Sequence, residues 1–134
     1  MHLLIVFMAL VLHGREKLVE IKDVVFIDSR CYTKKNTKTP FTGSIVVRDK
    51  SDRSLRSKTT YKNGMVNGPD IQWWQKDKIK SIKNFVNGKE QGEYIQYSAS
   101  GKIVTHGQYM DGVESGTWYF YDKDGKIIDK KEYP

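Results

Sequence analysis

From about residue 43 onward, apolar and polar residues alternate with a period of two, the pattern of strands that bury one face. Tyr94 and Gln96 point one way while Ile95 and Tyr97 point the other. After the turn Ser98-Ala99-Ser100-Gly101-Lys102, the set Ile103, Thr105, Gly107 and Tyr109 alternates with Val104, His106, Gln108 and Met110. Two such runs joined by a turn predict a β-hairpin. Each returning run ends at Asn63-Gly64, Asn87-Gly88 or Asp111-Gly112. In these pairs the Asn or Asp tolerates positive φ and the Gly adopts it without steric cost, so each predicts a tight turn into the next hairpin.

The hairpins repeat every 24 residues: Tyr61, Phe85, Tyr109 and Tyr133; Gly64, Gly88 and Gly112; Gly68, Gly92 and Gly116. Further columns at this spacing are Ile71, Ile95 and Tyr119; Trp73, Tyr97 and Tyr121; and Leu55, Ile79, Ile103 and Ile127. Gly43 opens an earlier copy 25 residues before Gly68. A period of this length marks stacked units, each covering part of its neighbour. The expected fold is all-β, an antiparallel meander of tandem β-hairpin repeats in a single-layer twisted sheet. Four repeats are expected at 43–67, 68–91, 92–115 and 116–134. The repeat core should consist of Tyr61, Trp73, Phe85, Tyr97, Tyr109, Tyr121 and Tyr133, with the Ile and aromatic columns stacked as one ladder. A helical reading fails, since every Gly in a helix interior costs about 1 kcal/mol.

At 134 residues with 38% hydrophobic content, the chain suits one domain built as a sheet with one drier face, and 16 aromatics supply much of its apolar surface. Residues 15–42 should form an N-terminal capping segment. Leu18–Ile21 and Val24–Ile27 are β-prone runs, and the polar stretch Lys34–Thr39 ends at Pro40. Arrays need terminal units unlike the interior ones, because an exposed end is an open edge. Residues 1–14 differ from everything else: Leu3 to Leu12 form an apolar run too short to span a membrane as a helix. The run suits a secretory signal peptide, with export to the periplasm or cell envelope. The alternative is a buried segment packed on the sheet, or a membrane-anchoring one, with a cytoplasmic location as the alternative to export.

Cys31 is the only cysteine and cannot form an internal disulfide, and three scattered histidines offer no metal-ligand spacing. Cys31 is expected as a small half-buried side chain, and His106 as a solvated strand residue. No catalytic, metal or cofactor site is expected. The formal charge of +7 allows weak attraction to an anionic membrane surface, whereas nucleic-acid binding is disfavoured: Lys falls mostly at turns and edges, where it keeps a sheet soluble.

Two stretches carry a resemblance. Phe85-Val86-Asn87-Gly88 with Gly92 and Tyr97, and Tyr109-Met110-Asp111-Gly112 with Gly116 and Tyr121, resemble the bacterial variant of the MORN repeat over about 41–134. Proteins of this kind are commonly labelled YwqK-family antitoxins. The resemblance implies a hairpin array and suggests toxin neutralisation by binding. Pro69 after Gly68, and Lys76-Asp77-Lys78 in place of a Gly-containing turn, depart from the pattern. Some members of the wider group are attached to phosphoinositide kinases, but this chain has no phosphate-cradling loop with a positioned Lys. The expected role is therefore a non-catalytic scaffold for a protein partner of unspecified identity, the alternative being a structural module of the cell envelope. Where Asp70 and Gln72 are polar, later copies become apolar. Tyr94, Val104, Met110, Trp118 and Phe120 are expected to share the face opposite the ladder as an exposed partner-binding patch.

Overall fold

A computed structural model describes residues 15–134; the apolar leader 1–14, and the export expectation attached to it, lie outside the described residues. The strands are β1 (Leu18–Glu20), β2 (Val24–Ile27), β3 (Arg30–Thr33), β4 (Gly43–Arg48), β5 (Leu55–Lys62), β6 (Met65–Gln75), β7 (Lys78–Val86), β8 (Lys89–Glu90), β9 (Gly92–Tyr97), β10 (Ile103–Met110), β11 (Val113–Tyr121) and β12 (Ile127–Tyr133). One sheet runs β1-β4-β5-β6-β7-β9-β10-β11-β12, with β8 on β7; β2 and β3 form a separate hairpin. Every pairing in the large sheet is antiparallel except β1 with β4. The fold is an open all-β meander, as the alternation predicts.

The turns have the expected chemistry. Asn63, Asn87 and Asp111 adopt φ of 50°, 48° and 50°, each followed by a Gly at 79°, 83° and 86°. Each turn also docks on the preceding unit. Gly64, Gly88 and Gly112 donate their N–H to the carbonyls of Phe41, Val66 and Glu90 at 2.7, 2.8 and 2.9 Å. The side chains of Thr42, Asn67 and Gln91 accept from the N–H of Asn63, Asn87 and Asp111, each at 3.0 Å. These three polar residues directly precede Gly43, Gly68 and Gly92, so they form a column of their own.

Two kinds of bulge recur. After the Leu55 column, one residue per hairpin has no partner: Arg56, Lys80, Val104 and Ile128. At each Gly68-type glycine the following unit gains two residues over its neighbour; His106 faces Tyr119 while Gln108 faces Ser115. A one-residue bulge reverses the alternation on its strand, whereas a two-residue offset preserves it. The second hairpin carries a further extra residue, Trp74, and closes through Lys76-Asp77 with Asp77 at φ 59°. Pro69 falls in the two-residue bulge against β5, where no ladder bond to β5 is lost.

These bulges correct the expected face assignment. One face, here face A, carries Tyr61, Phe85, Tyr109 and Tyr133 opposite Gly43, Gly68, Gly92 and Gly116, and beside them the row Thr59, Asp70, Lys83, Tyr94, Gly107, Trp118 and Lys131. The other, face B, carries Lys58, Ile71, Ile82, Ile95, His106, Tyr119 and Lys130 in one row. Trp73, Ile79, Tyr97, Ile103, Tyr121 and Ile127 lie next to that row. The expected single ladder is thus divided between two faces. Its Tyr61 column lies on one, and Trp73, Tyr97 and Tyr121 lie on the other.

Among the described residues the buried apolar side chains lie mostly near the N-terminal end: Val24, Cys31, Phe41, Ile45 and Val46, with Trp118 alone at the far end. The β2–β3 hairpin turns through Asp28 and Ser29, both at positive φ, and covers face A over Ile45 and Tyr61. Backbone bonds from Cys31 to Gly64 and from Phe41 to Cys31, each 2.8 Å, fasten it. Cys31, expected half-buried, is fully enclosed, because its strand is pressed between Phe41 and the first turn. The seven residues of the expected repeat core are all only half-buried, since a single layer has no second sheet to cover them.

Candidate functional site: the aromatic end of face A

At the far end of face A the rings gather around Trp118. Its centroid lies 5.1 Å from that of Tyr109, 5.5 Å from Tyr94 and 6.2 Å from Tyr133, with Tyr109 and Tyr133 meeting it edge to face. Tyr94 and Tyr109 also meet edge to face at 6.0 Å. Such pairs contribute about 0.5–1.5 kcal/mol each beyond the area they bury.

The seat for this indole is Gly107. A Cβ at that position would stand 2.2 Å from Trp118 Cδ2, so the ring lies directly on the backbone. The bulge at Gly116, φ 64°, swings Trp118 over that seat, and its Nε1 donates to the Gln108 carbonyl at 3.1 Å. With 5% of its surface exposed, Trp118 is the core of this end.

A cation borders the cluster. Lys83 Nζ lies 5.2 Å from the Tyr109 centroid, 5.5 Å from Tyr94 and 6.0 Å from Phe85, and it pairs with Glu90 at 3.3 Å. On the far side Lys131 Nζ sits 5.7 Å from the Phe120 centroid. Burial raises the pKa of the Tyr94 and Tyr109 hydroxyls, and the carboxylates of Glu114 and Glu90 add to the rise at Tyr109. Beside the rings runs a polar row, Ser57, Gln72, Ser81, Gln96 and Thr105, which continues through Phe120 to Asp129.

The expected partner-binding residues do not stay together. Tyr94, Trp118 and Phe120 share face A, but on the face of Tyr109 and Tyr133, not opposite it. Met110 lies with Gln108 on face B, beside the third turn and opposite Val113; both are more than half exposed. The cause is the bulge at Val104, which brings Thr105, Gly107 and Tyr109 onto the side of Tyr94 and leaves Met110 on the other. Trp118, expected exposed, is buried by the rings that the bulge gathers.

Lys83 escaped the sequence reading. Its position, two before Phe85 and equivalent to Thr59, Gly107 and Lys131, was visible by counting, but most of its aromatic neighbours come from later strands. His106 is partly exposed and its Nε2 lies 2.8 Å from Glu93 Oε1 on face B. Among the described residues no group of three or more His, Cys, Asp or Glu side chains gathers as metal ligands, and no helix is long and apolar enough to cross a membrane. An open cleft of about 470 Å³ lies at the loop ends between Arg53, Leu55, Trp73 and Lys76. No protein-family model, curated protein or solved structure matches the chain.

Proposed function

We propose that this chain is a non-catalytic repeat scaffold that binds a protein partner through the aromatic end of face A. The observation that carries the reading is the aromatic cluster itself. Trp118 is consumed in holding Tyr94 and Tyr109 in place, so half-exposed rings stand preorganised beside Phe120, Lys83, Lys131 and the Gln96–Thr105 row. Rigid aromatics with cations and amide groups at their edges form effective contact centres, because little side-chain entropy is lost on binding. The resemblance to bacterial MORN-variant proteins makes toxin neutralisation the particular role proposed. Met110 does not belong to this surface.

The test is capture from native extract on the immobilised intact chain, compared with its Phe120→Ser and Tyr94→Ala variants. One stoichiometric protein retained by the parent chain, lost with either variant, and toxic when expressed alone supports the proposal. Retention of anionic lipid or envelope material in its place favours the structural-module alternative. A partner retained equally by all three chains places the contact elsewhere.

A further inference from the structure

We propose that the cleft between the loops of the first two hairpins is a binding site for a neutral, polyhydroxylated ring, that is, a sugar. Here the array departs from its own repeat. The later loops, Ser98–Lys102 and Asp122–Lys126, close alike, through bonds of 2.8 Å from the N–H groups of Ser98 and Asp122 to the carbonyls of Lys102 and Lys126. The first loop, Asp49–Ser54, is one residue longer, and the second hairpin carries the extra Trp74 before its short Lys76-Asp77 turn. Between them lies the hollow of about 470 Å³. Sites for small molecules typically measure about 300–1,000 Å³.

The walls are held before any ligand arrives. Arg56 donates through Nε and Nη2 to Asp49 Oδ2 at 3.2 and 2.9 Å, and through Nη1 to the Trp74 carbonyl at 2.6 Å. One guanidinium thus ties the first loop to the second hairpin. Arg48 donates to the Arg53 carbonyl at 3.2 Å, and Asp52 accepts from the N–H and hydroxyl of Ser54 at 2.9 and 2.7 Å. Walls fixed in this way lose little freedom on binding.

The lining selects the ligand. Leu55 and Trp73 supply its apolar part, and Arg53, Lys76, Asp52 and Asp77 its charged part. Two cations and two carboxylates balance, so a charged ligand of either sign meets as much repulsion as attraction. Sugar hydroxyls donate and accept at once, which suits cations that only donate standing beside carboxylates that only accept. The C–H face of the ring suits an indole. Trp74 and Trp118 donate their indole N–H groups to the carbonyls of Tyr97 and Gln108, whereas no described residue accepts from Trp73. Among the described residues no buried polar side-chain atom lacks a partner, so the Trp73 N–H is open to solvent. Lys76 and Asp77 likewise form no ion pair with a described residue.

The cleft shares no residue with the rings around Trp118, so this proposal and the partner-binding one fail separately. The indole N–H resonances of the intact, isotopically labelled chain, assigned with Trp73→Phe, read it out. Titration with glucose, galactose, N-acetylglucosamine and the dimers cellobiose and diacetylchitobiose should move the Trp73 resonance saturably with at least one sugar and leave that of Trp118 in place. A dimer held more tightly than its monomer identifies a glycan chain as the source, and equal binding identifies a free sugar. Lys76→Ala should weaken binding several-fold, as should Asp77→Gly, which removes the carboxylate and suits the φ of 59° at that position. Tyr121→Phe, in the column of Trp73 but on the last hairpin, should leave binding unchanged. A Trp73 resonance that moves with none of these sugars up to their solubility, equal movement at Trp118, or saturable movement with phosphate or citrate alone, the mark of an anion site, would each overturn the proposal.

Discussion

The two ends of face A solve one packing problem in opposite ways. At the first end Tyr61 is covered from outside the array: its ring lies 6.4 Å from Phe41 and 6.5 Å from Phe26 of the capping hairpin. The neighbouring positions are then free to be polar, and Thr59 donates to Asp70 at 2.7 Å. At the last end no described hairpin lies over Tyr109 and Tyr133. The residue equivalent to Asp70 is Trp118, the residue equivalent to Thr59 is Gly107, and the indole fills the space itself. Between them Lys83 and Tyr94 form an intermediate case, a cation against a ring. The pair two positions from the repeated aromatic thus records what covers that aromatic, by a cap or by the array.

The largest effect should come from removing the internal cover. Trp118→Ala is expected to cost about 3–5 kcal/mol in urea unfolding, the range for an enclosed large ring. A cost below about 1 kcal/mol would mean that the last end is not held by this ring. Next comes the seat: Gly107→Val should cost about 1–3 kcal/mol, because its side chain must displace the indole. The same final side chain at the first end, Thr59→Val, exchanges only a hydroxyl for a methyl and should cost about 1 kcal/mol, mostly the lost bond to Asp70. If the Gly107 and Thr59 variants prove equal, the contrast between the ends is wrong.

Smaller effects should appear with pH. Burial works to raise the pKa of Glu16, but its bonds to Lys58 and Ser44 outweigh this and leave it below the ordinary 4.5. Its contribution is therefore present above that pH and lost as the pH falls through the lowered value. Hydrogen exchange in acid should increase first around Glu16, Ser44 and Lys58, before the strands carrying Tyr109 and Trp118. In alkali the sign reverses. The raised pKa values of Tyr61, Tyr94, Tyr97 and Tyr109 give stability that is complete below the ordinary value of 10 and declines above it, at both ends. Urea midpoints at pH 9 and 11 check this, and a higher midpoint at pH 11 would contradict it.

Much of the fold was legible because its causes are local. Asn63-Gly64 and its equivalents identify the turns through a backbone preference carried by two residues, and the 24-residue spacing follows from counting. The polar column Thr42, Asn67 and Gln91 was equally open to reading, since each residue abuts a repeated Gly. The candidate site was less legible. Assigning Tyr94 to the side of Val104 and Met110 assumed unbroken alternation across the hairpin, and the one-residue bulge at Val104 reverses it. Nothing in Ile103-Val104-Thr105 differs in polarity from a regular strand, so the pattern carries no mark of the bulge.

The amino-acid sequence by itself determined the all-β hairpin character and the Asn-Gly and Asp-Gly turns, because turn chemistry and period-two alternation act within a few residues. Only the tertiary structure decided which side each ring occupies and which rings are buried. Those outcomes depend on register between strands, and register is settled by the bulges, by Gly107 offering bare backbone, and by Trp118 reaching it from the next strand.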